Sequence, residues 1–151
     1  MIIDTQKKLK ELYEIDDYLW LEETINLLKE NRLNELDLEN LIEELESLAR
    51  RDKLALQSLL EQIIRHLLLI EYWQDERERS YRHWRSEVTS FRGQISDRMT
   101  TNFYHYLTEN KSSIYRKARK YVIDSTGLET FPPECPYTLD KLLDEDWFPE
   151  R

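Results

Sequence analysis

The sequence predicts an all-α fold: an elongated helical bundle of about four main helices, an extended Pro-containing C-terminal arm and a short terminal helix. Three observations carry this. The chain has two Gly and four Pro in 151 residues, and the first of each are Gly93 and Pro132, so a long stretch passes without the residues that turns and sheet corners most need. The composition is rich in Leu, Glu, Arg, Asp and Lys, most of them good helix formers. Apolar residues recur three and four apart across most of the first half, the period of one helix face. The length suits one domain over 1–151, with 128–151 as a docked arm.

Residues 5–14 carry a brief apolar pattern through Leu9, Leu12 and Tyr13, which fits a short helix or an arm. Asp16 and Asp17 are N-cap candidates for a helix whose apolar face is Tyr18, Leu21, Ile25 and Leu28, ending near Asn31. Asp37 is the next cap candidate, ahead of Leu38, Leu41, Ile42, Leu45, Leu48 and Ala49. The period continues through Leu56, Leu59, Leu60, Ile63, Ile64, Leu67 and Ile70, supported by the four-apart pairs Glu46 with Arg50 and Glu61 with Arg65. Unbroken from 38 to 70, this helix would span roughly 50 Å at about 1.5 Å per residue, longer than a compact chain of this size is wide. Either the bundle is elongated, which is the preferred reading, or the helix breaks near Arg50, Arg51 and Asp52 where the apolar stripe weakens, or its end packs on a second subunit. From Leu54 onward the apolar residues fill more than one stripe, as in a helix covered on several sides. A third helix reads through Tyr81, Trp84, Val88, Phe91, Ile95 and Met99. A fourth reads through Ile114, Ala118, Tyr121 and Val122, stopped by Gly127 as a left-handed cap, and 100–110 is ambiguous between them. The Pro-rich run 131–136 must be extended, after which Thr138 can cap a short helix through Leu142 and Leu143.

The N-terminus shows no basic region leading into an apolar stretch, so no signal peptide is expected. The longest apolar run, Leu67 to Ile70, is far below the roughly 20 residues of a membrane span, and no membrane contact is expected. Cys135 is the one cysteine, which suits a reducing cytoplasm.

Several local runs carry a family resemblance. They are Asp37-Leu38-Glu39-Asn40-Leu41-Ile42-Glu43-Glu44-Leu45-Glu46-Ser47, His66-Leu67-Leu68, Trp84-Arg85 with Arg92, and Cys135-Pro136-Tyr137-Thr138-Leu139 through Asp144-Glu145-Asp146. Together they resemble the bacterial Domain of Unknown Function family twenty-nine over nearly the whole chain. The region of Asp75 departs from the Pro-containing turn associated with that family. The resemblance implies a helical bundle, and it implies no activity and no catalytic residues.

No motif points to a catalytic, cofactor or metal site. Glu39, Glu43, Glu44 and Glu46 invite a hard cation, but the paired downstream Glu-x-x-Asp of helical pyrophosphatases does not follow, and a solvated helix face outweighs a metal site. None of His66, His83 and His105 has a Glu three positions before it, as a di-iron bundle needs. His66 reads as a satisfied core histidine, and Ser58 and Cys135 lie in no nucleophile signature.

Charge is segregated. Residues 77–120 hold eleven Lys and Arg against four Asp and Glu, while 1–76 hold nine against nineteen and 121–151 hold two against eight. The basic stretch is interleaved with aromatics, a mixture that can pair phosphates and stack bases. Internal pairing with the acidic segments is favoured, because the net charge of −9 repels nucleic acid at a distance. Arg82, Arg85, Arg92, Arg116 and Lys120 are the candidate partner or anion surface. The leading expectation is a non-enzymatic protein-interaction module, with self-association open. The alternatives are an enzyme with a scattered site drawn from residues such as Glu43, His66 and Arg85, or a nucleic-acid-binding protein using 77–120.

Overall fold

The computed structural model describes residues 2–150. Among them every regular element is helical: α1 (Ile2–Ile15), α2 (Asp17–Lys29), a 3-10 turn (Leu33–Glu35), α3 (Leu38–Tyr72), α4 (Gln74–Arg98), α5 (Thr101–Thr126) and α6 (Leu139–Leu143). Five of the six helices are long, where about four main helices were expected. The chain divides into two compact units, 1–51 and 52–151.

In the first unit, Asp16 both follows α1 and caps α2: the Leu19 amide donates to its carboxylate at 3.0 Å, satisfying one of the amides that a helix start leaves free. After α2, Asn31 takes a left-handed φ of 58°, which Asn tolerates better than most residues. The core is Leu9, Trp20, Leu27 and Leu36, flanked by Leu12, Tyr13 and Leu41. Its polar anchor is buried Asp37. That carboxylate accepts the Trp20 indole N–H at 3.3 Å and the Asn40 side-chain amide at 2.6 Å, so the residue ahead of α3 also fixes the tryptophan of α2.

The faces of α2 and α3 differ from expectation. On α2, Trp20, Thr24 and Leu27 are buried, whereas Tyr18, Leu21, Ile25 and Leu28 are exposed. Burying one tryptophan removes more apolar area from water than any single residue of the expected stripe, and the Trp20 indole needs the Asp37 partner. On α3, Leu41 packs on the core while Leu38, Ile42, Leu45 and Leu48 stay exposed.

In the second unit, the remainder of α3 lines the core with Leu56, Leu60, Ile63, Ile64, Leu67, Leu68 and Ile70. Facing them are Trp84, Val88 and Ile95 of α4, and Leu107, Ile114, Tyr115, Ala118 and Val122 of α5. Trp73 alone separates α3 from α4, and its ring stacks on Trp84 at 5.8 Å between centroids. α5 begins thirteen residues before the expected Ile114, at Thr101, where the Thr100 hydroxyl accepts the Phe103 amide at 3.2 Å. It ends at Gly127, whose φ of 72° and bond to the Ile123 carbonyl form the left-handed cap that glycine adopts without steric cost. The chain beyond is non-helical until Thr138, whose hydroxyl accepts the Lys141 amide at the start of α6.

Candidate functional site

Arg92 organises the second unit. Its side chain is 0 % exposed, and the guanidinium donates to the carbonyls of Lys141 at 3.0 Å, Leu142 at 2.8 Å and Trp147 at 2.6 Å. A planar fork with several donors suits carbonyls arriving from two directions. Burial pushes its pKa down to about 10, against the opposing pull of Asp144 and Glu145, so it stays charged near neutral pH. Arg92 therefore leaves the candidate anion surface: its donors are held by residues 141–147 of its own chain.

Other cations of 77–120 are engaged in the same way. Lys111 donates to the Tyr137 carbonyl at 2.9 Å, Arg119 to the Pro132 carbonyl at 2.9 Å, and Arg77 to the Glu71 carbonyl at 2.8 Å. Arg85 is exposed, but its guanidinium lies over the Phe148 ring at 4.1 Å and donates to the Tyr81 hydroxyl. Arg82, Arg116 and Lys120 are exposed, with Arg116 in an open groove beside Lys111, Ser112 and Cys135.

The residues that carry the family resemblance have visible physical tasks here. Tyr137 is buried and donates to the Glu71 carboxylate at 2.6 Å; burial, then that bond, raises its pKa well above the usual phenol range. Its ring meets Trp147 edge-on at 5.6 Å. The Cys135 thiol faces the Tyr137 carbonyl at 3.4 Å, and burial raises its pKa, the opposite of what a reactive thiolate needs. Thr138 caps α6, and Leu139 and Leu142 are buried.

His66 is half-buried on α3. Its Nδ1 lies 2.7 Å from the Gln62 carbonyl, an acceptor only, which assigns the ring proton to Nδ1. The ring packs on Phe91 at 5.6 Å. Of the scattered enzyme candidates, Glu43 belongs to the first unit while His66 and Arg85 belong to the second. Burial lowers the His66 pKa, so the unfolded chain binds this proton more readily than the folded one. Stability from this group is full above its ordinary pKa of about 6.5 and is lost as pH falls toward the depressed folded value. The denaturation midpoint is expected to drop as pH is lowered through and below about 6.5, and His66→Gln should remove that part of the slope. A midpoint equally pH-dependent in both proteins would exclude His66 as its source.

The first unit holds the features that charge and motif reasoning passed over. Leu38, Ile42, Leu45 and Leu48 are 57, 53, 57 and 49 % exposed, and their spacing places them on one face of α3. Tyr18, Leu21, Ile25 and Leu28 form a second exposed stripe on α2. Both stripes are legible in the sequence as apolar periodicity; only the structure shows that the unit's own core leaves them uncovered.

The fold and its site thus define an all-α protein whose buried polar groups serve structure and whose open apolar faces lie on α2 and the start of α3. The domain of unknown function DUF29 matches residues 12–148, and the chain belongs to that family. No curated protein and no solved structure matches it.

Proposed function

We propose that the protein is a non-enzymatic protein-interaction module whose contact surface is the pair of exposed apolar stripes in the first unit. The observation that carries this is the row Leu38, Ile42, Leu45 and Leu48, each about half exposed at regular helical spacing. Scattered exposed leucines are ordinary, whereas a contiguous apolar row costs hydration free energy and marks a surface meant to be covered. The basic residues support this reading over nucleic-acid binding, because Arg77, Arg92, Lys111 and Arg119 donate to carbonyls of the same chain.

The same reading takes 1–151 as one domain with 128–151 as a docked arm, acting in a reducing cytoplasm. No described helix is long and apolar enough to cross a membrane.

A photo-crosslinking residue placed at Leu45 or Ile25, in cells, is expected to yield discrete protein adducts that the same group at Ser90 or Lys117 does not. Adducts equal at all four positions, or confined to Ser90 and Lys117, would overturn the assignment of the surface.

A further inference from the structure

The groove that Arg116 lines lies between α5 and the segment after it, within the second unit, and has a volume of about 440 Å³, in the range of pockets that take small molecules. Its α5 wall follows from helical spacing. Lys111 and Tyr115 stand four apart, Ser112 and Arg116 form the neighbouring row, and so two cations and a hydroxyl share one side of the helix. Tyr115 is buried, with its hydroxyl donating to the Pro132 carbonyl at 2.6 Å. The Lys111 ammonium donates to the Tyr137 carbonyl at 2.9 Å, which fixes its position and leaves it further N–H donors. Arg116 and Ser112 are exposed, and among the described residues neither side chain has a hydrogen-bond or ion-pair partner. Arg119, held by the Pro132 carbonyl at 2.9 Å, adds positive charge beside them. From 111 to 120, α5 carries five Lys and Arg and no Asp or Glu.

We propose that this groove binds a small phosphate monoester whose remainder carries a hydroxyl or amino group. A tetrahedral dianion can accept from an ammonium, a guanidinium fork and a hydroxyl together, and such charge-assisted bonds are the strong ones. Glu134 also lines the groove. Its carboxylate repels a bare anion but accepts from a hydroxyl or amino group, which selects an ester over free phosphate. The net charge of −9 opposes a long polyanion. Exposed charges farther away than the Debye length of about 8 Å are largely screened, so for a small ligand the lining cations decide.

Titrating glycerol phosphate into the full chain should shift the amide resonances of Ser112, Arg116 and Cys135 saturably in the millimolar range. It should also slow alkylation of Cys135, the chain's one thiol and a half-buried part of the groove lining, by an uncharged maleimide. Arg116→Gln, an exposed change that should leave the melt where it is, is expected to weaken binding at least about tenfold, the size of one lost charge-assisted hydrogen bond. Lys117→Gln removes the same charge outside the groove and should change binding by less than about twofold. Glu134→Gln should bring inorganic phosphate, the weaker ligand of the wild type, level with glycerol phosphate. No saturable shift at these positions, or equal weakening by Arg116→Gln and Lys117→Gln, would overturn the site. Inorganic phosphate binding the wild type as tightly as glycerol phosphate would overturn the assignment to an ester, and so would binding of a short oligonucleotide in the absence of any for glycerol phosphate.

Discussion

Replacing Arg92 with Ala is expected to destabilise the protein by about 3 to 6 kcal/mol, read as a fall in the urea midpoint, because each buried carbonyl left unpaired costs about 1 to 3 kcal/mol. Three carbonyls depend on this guanidinium: those of Lys141, Leu142 and Trp147. Some of the loss is recovered if the C-terminal segment opens and its carbonyls hydrate, which is why the lower figure is allowed. The side chain also carries packing, since its guanidinium lies 5.0 Å from the centre of the Phe148 ring. Arg92→Lys should recover only part of the stability: an ammonium keeps the charge but lacks the flat fork that spans carbonyls from two stretches of chain. An Arg92→Ala midpoint within about 0.5 kcal/mol of wild type, the size of an ordinary surface substitution, would mean the three bonds contribute nothing net.

Removing residues 131–151 should have a still larger effect. Phe131, Tyr137, Leu139 and Leu142 are all buried, and each large apolar side chain returned to water forfeits about 1.5 to 3 kcal/mol. The sum rivals the 5 to 15 kcal/mol by which whole proteins are stable. Deletion would also uncover the α4 and α5 surfaces beneath and strand Arg92, Lys111 and Arg119 without their carbonyl acceptors. The truncated chain is expected to bind a hydrophobic dye and to lose its cooperative melt above room temperature. If it melts like the full chain, this segment is no strap, and its aromatic residues would have to serve some other surface.

The helical class was legible because periodicity and the shortage of Gly and Pro are local properties. The caps at Asp16, Thr138 and Gly127 were legible for the same reason, since each depends on one residue's reach or backbone freedom. What escaped was tertiary. Residues 101–110 hold Thr, Asn and three aromatics, residues with mediocre helix propensity; Leu107 is held in the core from α5, and packing overrides the weak local preference. The two early apolar stripes looked like core because period alone does not say which side of a helix finds a neighbour. On α2 the outcome turned on Trp20 and its indole bond to Asp37. Arg92 looked like a surface cation because its acceptors lie 49 to 55 residues away in sequence, beyond any local pattern. The family resemblance did single out Arg92 and the run from Cys135 to Leu139, and the structure gives those positions a shared task in holding the chain after α5.

The placement of the four tryptophans has a practical consequence. Trp20 is the sole indole of residues 1–51, walled in beside the Tyr13 ring at 5.0 Å, while Trp73, Trp84 and Trp147 belong to 52–151. Intrinsic emission is therefore spatially sorted. A variant with Phe at the three later positions turns the first unit into its own optical probe: emission red-shifts only when Trp20 meets water, and iodide quenches it only then. The reverse variant, Trp20→Phe, reads the second unit in isolation, so that the loss of structure in each half can be timed separately in one cuvette without any attached label.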